Sequence, residues 1–385
     1  MIKIDSAYLL ETLKEAVRIN SVIPHEERLA LFFAEKIREL GLEPEWHVVA
    51  EGRPNVYASV QLGPADGFIT LTGHLDTVDV AKNWQTDPFE PVIKDGKLYG
   101  LGSLDMKSGV VCALAAFKAL IDETSLHSRL GRIGFAATVD EEGLGLGAKA
   151  LLTTEYGKSD AMLLGEPFWG DTQHPAPLGL TGKVLYKLTV TGRMTHGFYP
   201  ERGINAVEDA SKIVAALERL NLGEHPLYGK GNYSTLKIEG GYKEYAIVVP
   251  ERCEVIITRL TIPGESRESA IHDMQTLIDS LNLASHVTIE TPPPFYEPYV
   301  LEEGEPLVAG FNSAYENTLG QPPVLSFGRG ITDANIYVAE GNIPTITFGP
   351  RGAGIHEADE YVEIDSLEPV AQIFAETVIN FFSEK

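Results

Sequence analysis

The stretch "LTGHLDTVDV", Leu71–Val80, closes an apolar run that begins at Phe68 with a histidine and a carboxylate. Along an extended chain alternate residues share a face, so His74 and Asp76 point the same way. Two later runs repeat the pattern. "RIGFAATVDEE" is apolar up to Val139 and then acidic at Asp140, Glu141 and Glu142; "AMLLGEP" is apolar up to Leu164 and ends in Glu166. Between the first run and the second lies "KSGVVCALAAFKALIDE", apolar nearly all round, which is the pattern of a buried helix. Upstream, residues 7–20 and 25–41 carry helical periodicity, and "NVYASVQL" reads as a strand. Strands alternating with helices predict an α/β fold, a largely parallel sheet covered by helices on both faces. In such sheets ligands collect beyond the carboxyl ends of the strands. The histidine and the acids fall there.

The chain has 385 residues, more than one ordinary core accommodates. Residues 174–182, "HPAPLGLTG", read as a linker. The texture then changes. "KVLYKLTVTG" alternates as a half-exposed strand does, and "NAVEDASKIVAALERL" is an amphipathic helix. "YSTLKIEGG" and "AIVVPERCEVIITRL" read as strands, "RESAIHDMQTLIDSL" as a second helix and "HVTIET" as a last strand. That order, β-α-β-β-α-β, predicts a small α+β domain. "PPPFYEP" closes it, and helix and strand resume with "EPLVAGFNSAYENTL", "IPTITFGP" and a helix from Leu367. The expectation is a discontinuous sheet domain, 1–178 and 292–385, with a second domain, 179–291, inserted in it.

The formal net charge is −24, which repels nucleic acid and anionic membranes and can hold cations near carboxylate clusters. Cys112 and Cys253 lie in apolar, strand-like or helical surroundings with no metal-ligand spacing, and read as core residues. The N-terminal segment looks like an amphipathic helix, without the features of a secretory signal. No stretch approaches the roughly 20 apolar residues that span a bilayer. A cytoplasmic protein is expected, with neither nucleic acid nor membrane as partner.

His74, Asp76, Asp105 in "GLGSLDMKSG", Glu141, Glu142, Glu166 and His356 in "FGPRGAGIHEADEYV" each follow a buried strand or a glycine-rich turn. Imidazoles and carboxylates without thiolate suit Zn²⁺, Co²⁺ or Mn²⁺. Two such ions roughly 3.5–4 Å apart can share one carboxylate and one water. A carboxylate behind a ligand histidine fixes its tautomer, a job that suits Asp76. A carboxylate left free of the metal can take a proton from the attacking water.

The motifs "GHLDTV", "GLGSLDMKSG", "VDEEGLGLGA", "GEP", "GRMTHGFYPERGINA" and "FGPRGAGIHEADEYV" occur in an order that resembles the M20 metallopeptidase family, nearly from end to end. The resemblance implies that Asp105 bridges two divalent ions, zinc above all. His74 and Glu166 complete one site, and Glu142 and His356 the other. Glu141 is the general base and Asp76 orients His74. The peptide bond after Asp105 is often cis in the family. The inserted domain resembles a lid through which a homodimer forms. His196 matches a lid histidine that stabilises the oxyanion, in its own subunit or the partner's. Arg259 matches an arginine that contacts a substrate carboxylate, and Gly330 a glycine lining the substrate pocket.

The chain departs from the family pattern at Leu101, at Ala246-Ile247 and at Asn335, where Arg, an Asn pair and Arg are frequent. Those departures bear on the substrate, and above all on a dicarboxylic one such as a succinylated diamino acid, which the pattern no longer singles out. Glu166, where the family's peptidases often carry Asp, favours the deacylases. The expected activity is therefore hydrolysis of the amide bond of an N-acyl-L-amino acid. A dipeptidase or carboxypeptidase is the alternative, and a catalytically silent relative that only binds metal or ligand is a remote one.

Overall fold

Strand Phe68–His74 is buried along its whole length. It pairs in parallel with Arg132–Thr138 on one side and Ala161–Leu164 on the other. Phe68, Ile69, Thr70 and Thr72 are the aromatic and β-branched types that fit a pleated, covered surface. The sheet has six strands, in the order Glu45–Ala50, Arg53–Gln61, Arg132–Thr138, Phe68–His74, Ala161–Leu164, Thr345–Thr347. The first three are joined by antiparallel pairings and the rest by parallel ones. This is the mixed, largely parallel sheet read from the alternation. The computed structural model describes residues 2–242 and 247–384.

Helices cover the sheet. Lys107–Asp122 packs on Phe68–His74 and Arg132–Thr138, and is buried without a break from Lys107 to Phe117. Its all-round apolar sequence reflects neighbours on every side, among them helices Ser6–Val17 and Leu367–Glu384. Glu27–Glu39 lies on Arg53–Gln61 and buries only one stripe, Leu29, Ala30, Phe33, Ala34 and Ile37. The first helix starts where the Asp5 carboxylate accepts the Tyr8 N–H at 3.0 Å. It ends at Val17 rather than 20, because Asn20 turns its side-chain oxygen to the Val22 N–H at 3.0 Å.

The chain forms two compact units. One holds Met1–Gly179, Leu301–Ser326 and Thr332–Lys385; the other holds Leu180–Val300 and Phe327–Ile331. The second unit is an antiparallel sheet ordered Asn232–Gly240, Arg252–Thr261, Gly182–Thr191, His286–Glu290. Helices Ala206–Ala216 and Arg267–Ser280 pack with it around Tyr186, Leu188, Ile213, Val255, Ile257 and Met274. The element order is β-α-β-β-α-β, the ferredoxin-like arrangement. Residues 174–182 are not a plain linker. They contain the buried strand Ala176–Leu180, whose Ala176 N–H reaches the Val324 carbonyl at 3.0 Å. Pro and Gly there mark a short strand rather than a turn. Of the departures at Ala246-Ile247, Ala246 lies outside the described residues.

Candidate metal centre

The register of the parallel strands brings the site together. His74 pairs with Thr138, and Thr72 with Leu164, so three neighbouring strands end at one level. His74 ends the middle strand. Asp140, Glu141 and Glu142 follow the second, and Glu166 follows the third. Asp105 arrives from the turn before helix Lys107–Asp122. That helix runs hard against the Glu166 strand end: a Cβ on Gly109 would lie 1.7 Å from the Gly165 carbonyl oxygen, so neither glycine can be replaced without moving Asp105 away from Glu166. His356, at φ +59°, comes from the turn between Thr345–Thr347 and Tyr361–Glu363. The Asp105–Met106 bond is cis.

Asp105 faces two ways. Its Oδ1 lies 3.3 Å from His74 Nε2, and its Oδ2 lies 3.3 Å from His356 Nε2. His74 Nε2 is also 3.6 Å from Glu166 Oε1, and His356 Nε2 is 2.8 Å from Glu142 Oε1. His74, Asp105 and Glu166 thus offer ligand atoms within 4.8 Å of one another, as do Asp105, Glu142 and His356. His74 with Glu141 and Glu142 makes a third such group. The first two share Asp105, one oxygen to each.

The donor set fits divalent ions. His74 Nε2, Asp105 Oδ1 and Glu166 Oε1 are buried without a hydrogen-bond partner, a costly state for three polar atoms aimed at one point. Tetrahedral ligands at the roughly 2.1 Å of zinc–nitrogen and zinc–oxygen bonds stand about 3.4 Å apart. The spacings of 3.3 and 3.6 Å match that value and are long for hydrogen bonds. The charge matches as well. Asp105, Glu142, Glu166 and Glu141 supply four negative charges, enough for two divalent cations.

The groups of the site shift one another's proton affinities. Burial would lower the His74 imidazole, yet Asp105, Glu166, Asp76 and Glu141 hold its pKa well above 6.5. Hydrogen bonds to Asp105 and Glu142 push His356 to about 10. Burial raises Asp105, but the imidazoles of His356 and His74 beside it more than reverse this, and its pKa is lowered. Burial pushes Glu141 well up, against His74 and with Glu166 and Asp333 adding to it; Glu166 is raised by burial and by Asp105. Glu141 Oε2 stands 3.9 Å from His74 Nε2, beside the donor groups.

Asp76 meets His74 through its main chain, and its carboxylate has a further task. The acceptor nearest His74 Nδ1 is the Asp76 main-chain carbonyl, at 3.0 Å; the Asp76 carboxylate is 3.7 Å away. That carboxylate accepts the backbone N–H of Glu141 at 3.2 Å and of Glu142 at 2.9 Å. It holds the loop that carries both glutamates. Asp140, at φ +73°, braces the same loop from within, taking the N–H groups of Leu144 and Leu146 and pairing with Arg53, which also binds the buried Glu26.

The second unit carries the other three expected residues. His196 is exposed in a loop bridged to Val248, with its ring against Phe198 and Tyr199. Gly330 exchanges hydrogen bonds with the Thr181 hydroxyl, each 3.2 Å. Arg259 requires a correction. Its side chain is fully buried and held by Glu265 and Asp273, the latter at 3.1 Å, so it is a core ion pair and not a receptor for a substrate carboxylate. The alternation could have revealed this: Cys253, Val255, Ile257 and Arg259 share the buried face of one strand. Leu101 is buried in the Asp105 turn, and the Asn335 side-chain oxygen caps the Thr332 N–H at 3.0 Å.

The sequence reading passed over Glu360, Asp140, Arg53, Glu26 and Asp333. Asp333 is fully buried next to Thr138, and its burial raises its pKa to about 7.

Residues 70–380 match the family described as peptidase family M20/M25/M40. A succinyl-diaminopimelate desuccinylase of Methylorubrum populi is 29% identical over 381 residues, covering 95% of this chain and 96% of the relative. Among solved structures, a tripeptidase from Staphylococcus aureus superposes with a TM-score of 0.80 at 23% identity, covering 99% of this chain and 100% of that one. The YXEP protein of Bacillus subtilis, described as a dinuclear metal binding peptidase, superposes with a TM-score of 0.73 at 15% identity, over 97% of each chain.

Proposed function

Because the chain belongs to peptidase family M20/M25/M40, we propose that it is a metal-dependent hydrolase that cleaves the amide bond of an N-acyl-L-amino acid. One observation carries this reading: the two oxygens of Asp105 each face a separate donor group at 3.3 Å. In the proposal His74, Asp105 and Glu166 hold one ion, and Asp105, Glu142 and His356 hold the second. Zinc suits this nitrogen and oxygen set best; cobalt and manganese suit it next. When bound, the ions polarise the substrate carbonyl and acidify the attacking water.

The chain's own groups do the rest. Glu141 takes the proton of the water and later gives it to the leaving amine. Asp76 keeps Glu141 and Glu142 in place through their backbone N–H groups. His74 Nδ1 donates to the Asp76 carbonyl, which leaves Nε2 free to ligate. Burial of His74 and Glu166 keeps bulk water from competing. His196 belongs to the same proposal as the group that steadies the oxyanion; its support is the "GRMTHG" pattern and an exposed imidazole. Gly330 is proposed to line the substrate pocket, on the family pattern alone.

The desuccinylase relatives and Glu166 both favour a deacylase over a dipeptidase or carboxypeptidase. A homodimer through the second unit is part of the proposal. Strand Asn232–Gly240 is an edge of its sheet and exposes Leu236 by 58% and Ile238 by 50%, an apolar edge that a second copy can cover. A cytoplasmic location is proposed with it; Cys112 and Cys253 are free thiols, and among the described residues no helix is long and apolar enough to cross a membrane. The test is a panel of N-acetyl and N-succinyl amino acids and dipeptides with a shared released residue, offered to zinc- and cobalt-loaded enzyme. Acyl amino acids should be cleaved with the higher kcat/KM. Faster dipeptide cleavage would replace the deacylase with a peptidase.

A further inference from the structure

The bridging carboxylate sits at the end of a turn that has little side-chain substance of its own. Residues 100–105 read Gly-Leu-Gly-Ser-Leu-Asp, and Gly102 is at φ +72°. Left to itself such a turn samples many conformations. It does not here, because Glu360 fills it. The Glu360 side chain is almost fully buried and accepts three backbone N–H groups: Gly102 at 2.7 Å, Leu104 at 2.8 Å and Asp105 itself at 2.8 Å. Its main-chain carbonyl accepts two more, the Gly100 N–H at 3.1 Å and the Ser103 hydroxyl at 3.4 Å.

The placement follows from strand register. Tyr361–Glu363 pairs with Lys97–Tyr99, Tyr361 opposite Tyr99, which sets Glu360 at the mouth of the turn. Glu360 is also four residues beyond His356. One short segment therefore supplies a donor for the second ion and a grip on the residue that serves both ions. No side-chain cation pairs directly with the carboxylate among the described residues: the nearby buried Lys107 spends its ammonium on the Ile19 carbonyl at 2.8 Å. The charge of Glu360 is met by N–H dipoles, which is how backbone concavities hold anions.

We infer that Glu360 is a positioning residue for the metal pair, fixing the Asp105 carboxylate between its two donor groups by holding the backbone from Gly102 to Asp105. This role rests on the di-metal reading above. Glutamine cannot replace it. An amide offers one acceptor oxygen, and its NH₂ would face N–H groups that are themselves donors. Aspartate keeps the charge but withdraws the oxygens by about 1.5 Å, one carbon–carbon bond.

The experiment is zinc titration of the full-length metal-free protein against a chromophoric chelator, for wild type, Glu360→Gln, Glu360→Asp and Glu363→Gln. The last is a control on the strand that follows Glu360, Tyr361–Glu363; its carboxylate pairs with Arg351 and touches none of these N–H groups. Glu360→Gln should bind both ions about 10–100-fold more weakly, the usual cost of removing a group that orients a ligand. Glu360→Asp should lose less and Glu363→Gln nothing. Substrate KM should hold while kcat at limiting zinc falls and recovers as zinc is raised; simple loss of fold would not recover. Should Glu360→Gln fail to fold, the Asp variant decides alone, and wild-type zinc affinity in it would overturn the role. So would wild-type affinity in folded Glu360→Gln. A wild-type protein that takes up a single ion would instead remove the di-metal reading, and this role with it.

Discussion

Replacing Asp76 by Asn separates two roles that the residue's position allows. The Asp76 carboxylate is fully buried and accepts two backbone N–H groups, from Glu141 and Glu142, while His74 Nδ1 uses the Asp76 main-chain carbonyl. Asn keeps one acceptor oxygen and turns an NH₂ toward the other N–H. The loss of one hydrogen bond to a buried charged acceptor costs about 1.5–3 kcal/mol. For a chain of 385 residues that lowers Tm by roughly 2–4 °C. The catalytic effect is larger than the stability loss suggests, because the loosened loop carries Glu141. Misplacing a catalytic group by about 1 Å costs on the order of 10²-fold in rate. The main-chain carbonyl at His74 is untouched, so affinity for the ion assigned to His74, Asp105 and Glu166 should change by less than about threefold, while the ion assigned to Glu142 should weaken with its loop. Steady-state kinetics at saturating zinc and chelator competition on one preparation measure both. If affinity for the ion assigned to His74, Asp105 and Glu166 drops 10–100-fold and saturating zinc restores kcat, the carboxylate acts through His74 and the backbone role is refuted.

Glu141→Gln should keep both ions, by elemental analysis, and lose roughly 10²–10⁴-fold in kcat; Asp105→Ala should lose both ions and Glu142→Ala chiefly one. In metal-free protein His356 is held at about 10 by Asp105 and Glu142, above its ordinary 6.5. A raised folded pKa means that this pairing stabilises fully below pH 6.5 and is lost as pH climbs through 10, so apo-protein Tm should decline across that window. The same proton opposes zinc, so affinity near neutrality should rise about tenfold per pH unit for each proton displaced, and calorimetry in buffers of different ionisation enthalpy should record the release. Arg259→Leu leaves Glu265 and Asp273 without their shared cation and should destabilise by about 3 kcal/mol, while KM in whatever folded protein remains stays at the wild-type value.

The candidate ligands were legible because burial is legible. An apolar strand that stops at His74, or at Glu166, advertises a polar group placed at a covered sheet end. The carboxylates that hold backbone were not, since an acid that accepts N–H groups is spelled like any surface acid. Glu360 lies in "HEADEYV", where Glu357 and Asp359 look equally suitable, and only the pairing of Tyr361 with Tyr99 selects it. Asp76 was visible as a neighbour of His74, yet which of its oxygens serves the imidazole depends on where the Glu141 loop returns, a contact 65 residues away. The misread of residues 174–182 has the same origin. Ala176–Leu180 becomes a strand because partners such as Val324 and Leu301 arrive far later in the chain.

That long reach also orders the site in time. His74, Asp105 and Glu166 all precede the second unit, whereas His356 and Glu360 follow it, Glu360 meeting Asp105 across 255 residues. On a ribosome adding about 5–20 residues per second, the roughly 190 residues between Glu166 and His356 take on the order of 10–40 s. A nascent chain in that interval carries His74, Asp105 and Glu166, one candidate donor group, but neither His356 nor Glu360. On the proposed assignment the second donor group is therefore closed only near the end of translation, and a chain released early would lack it.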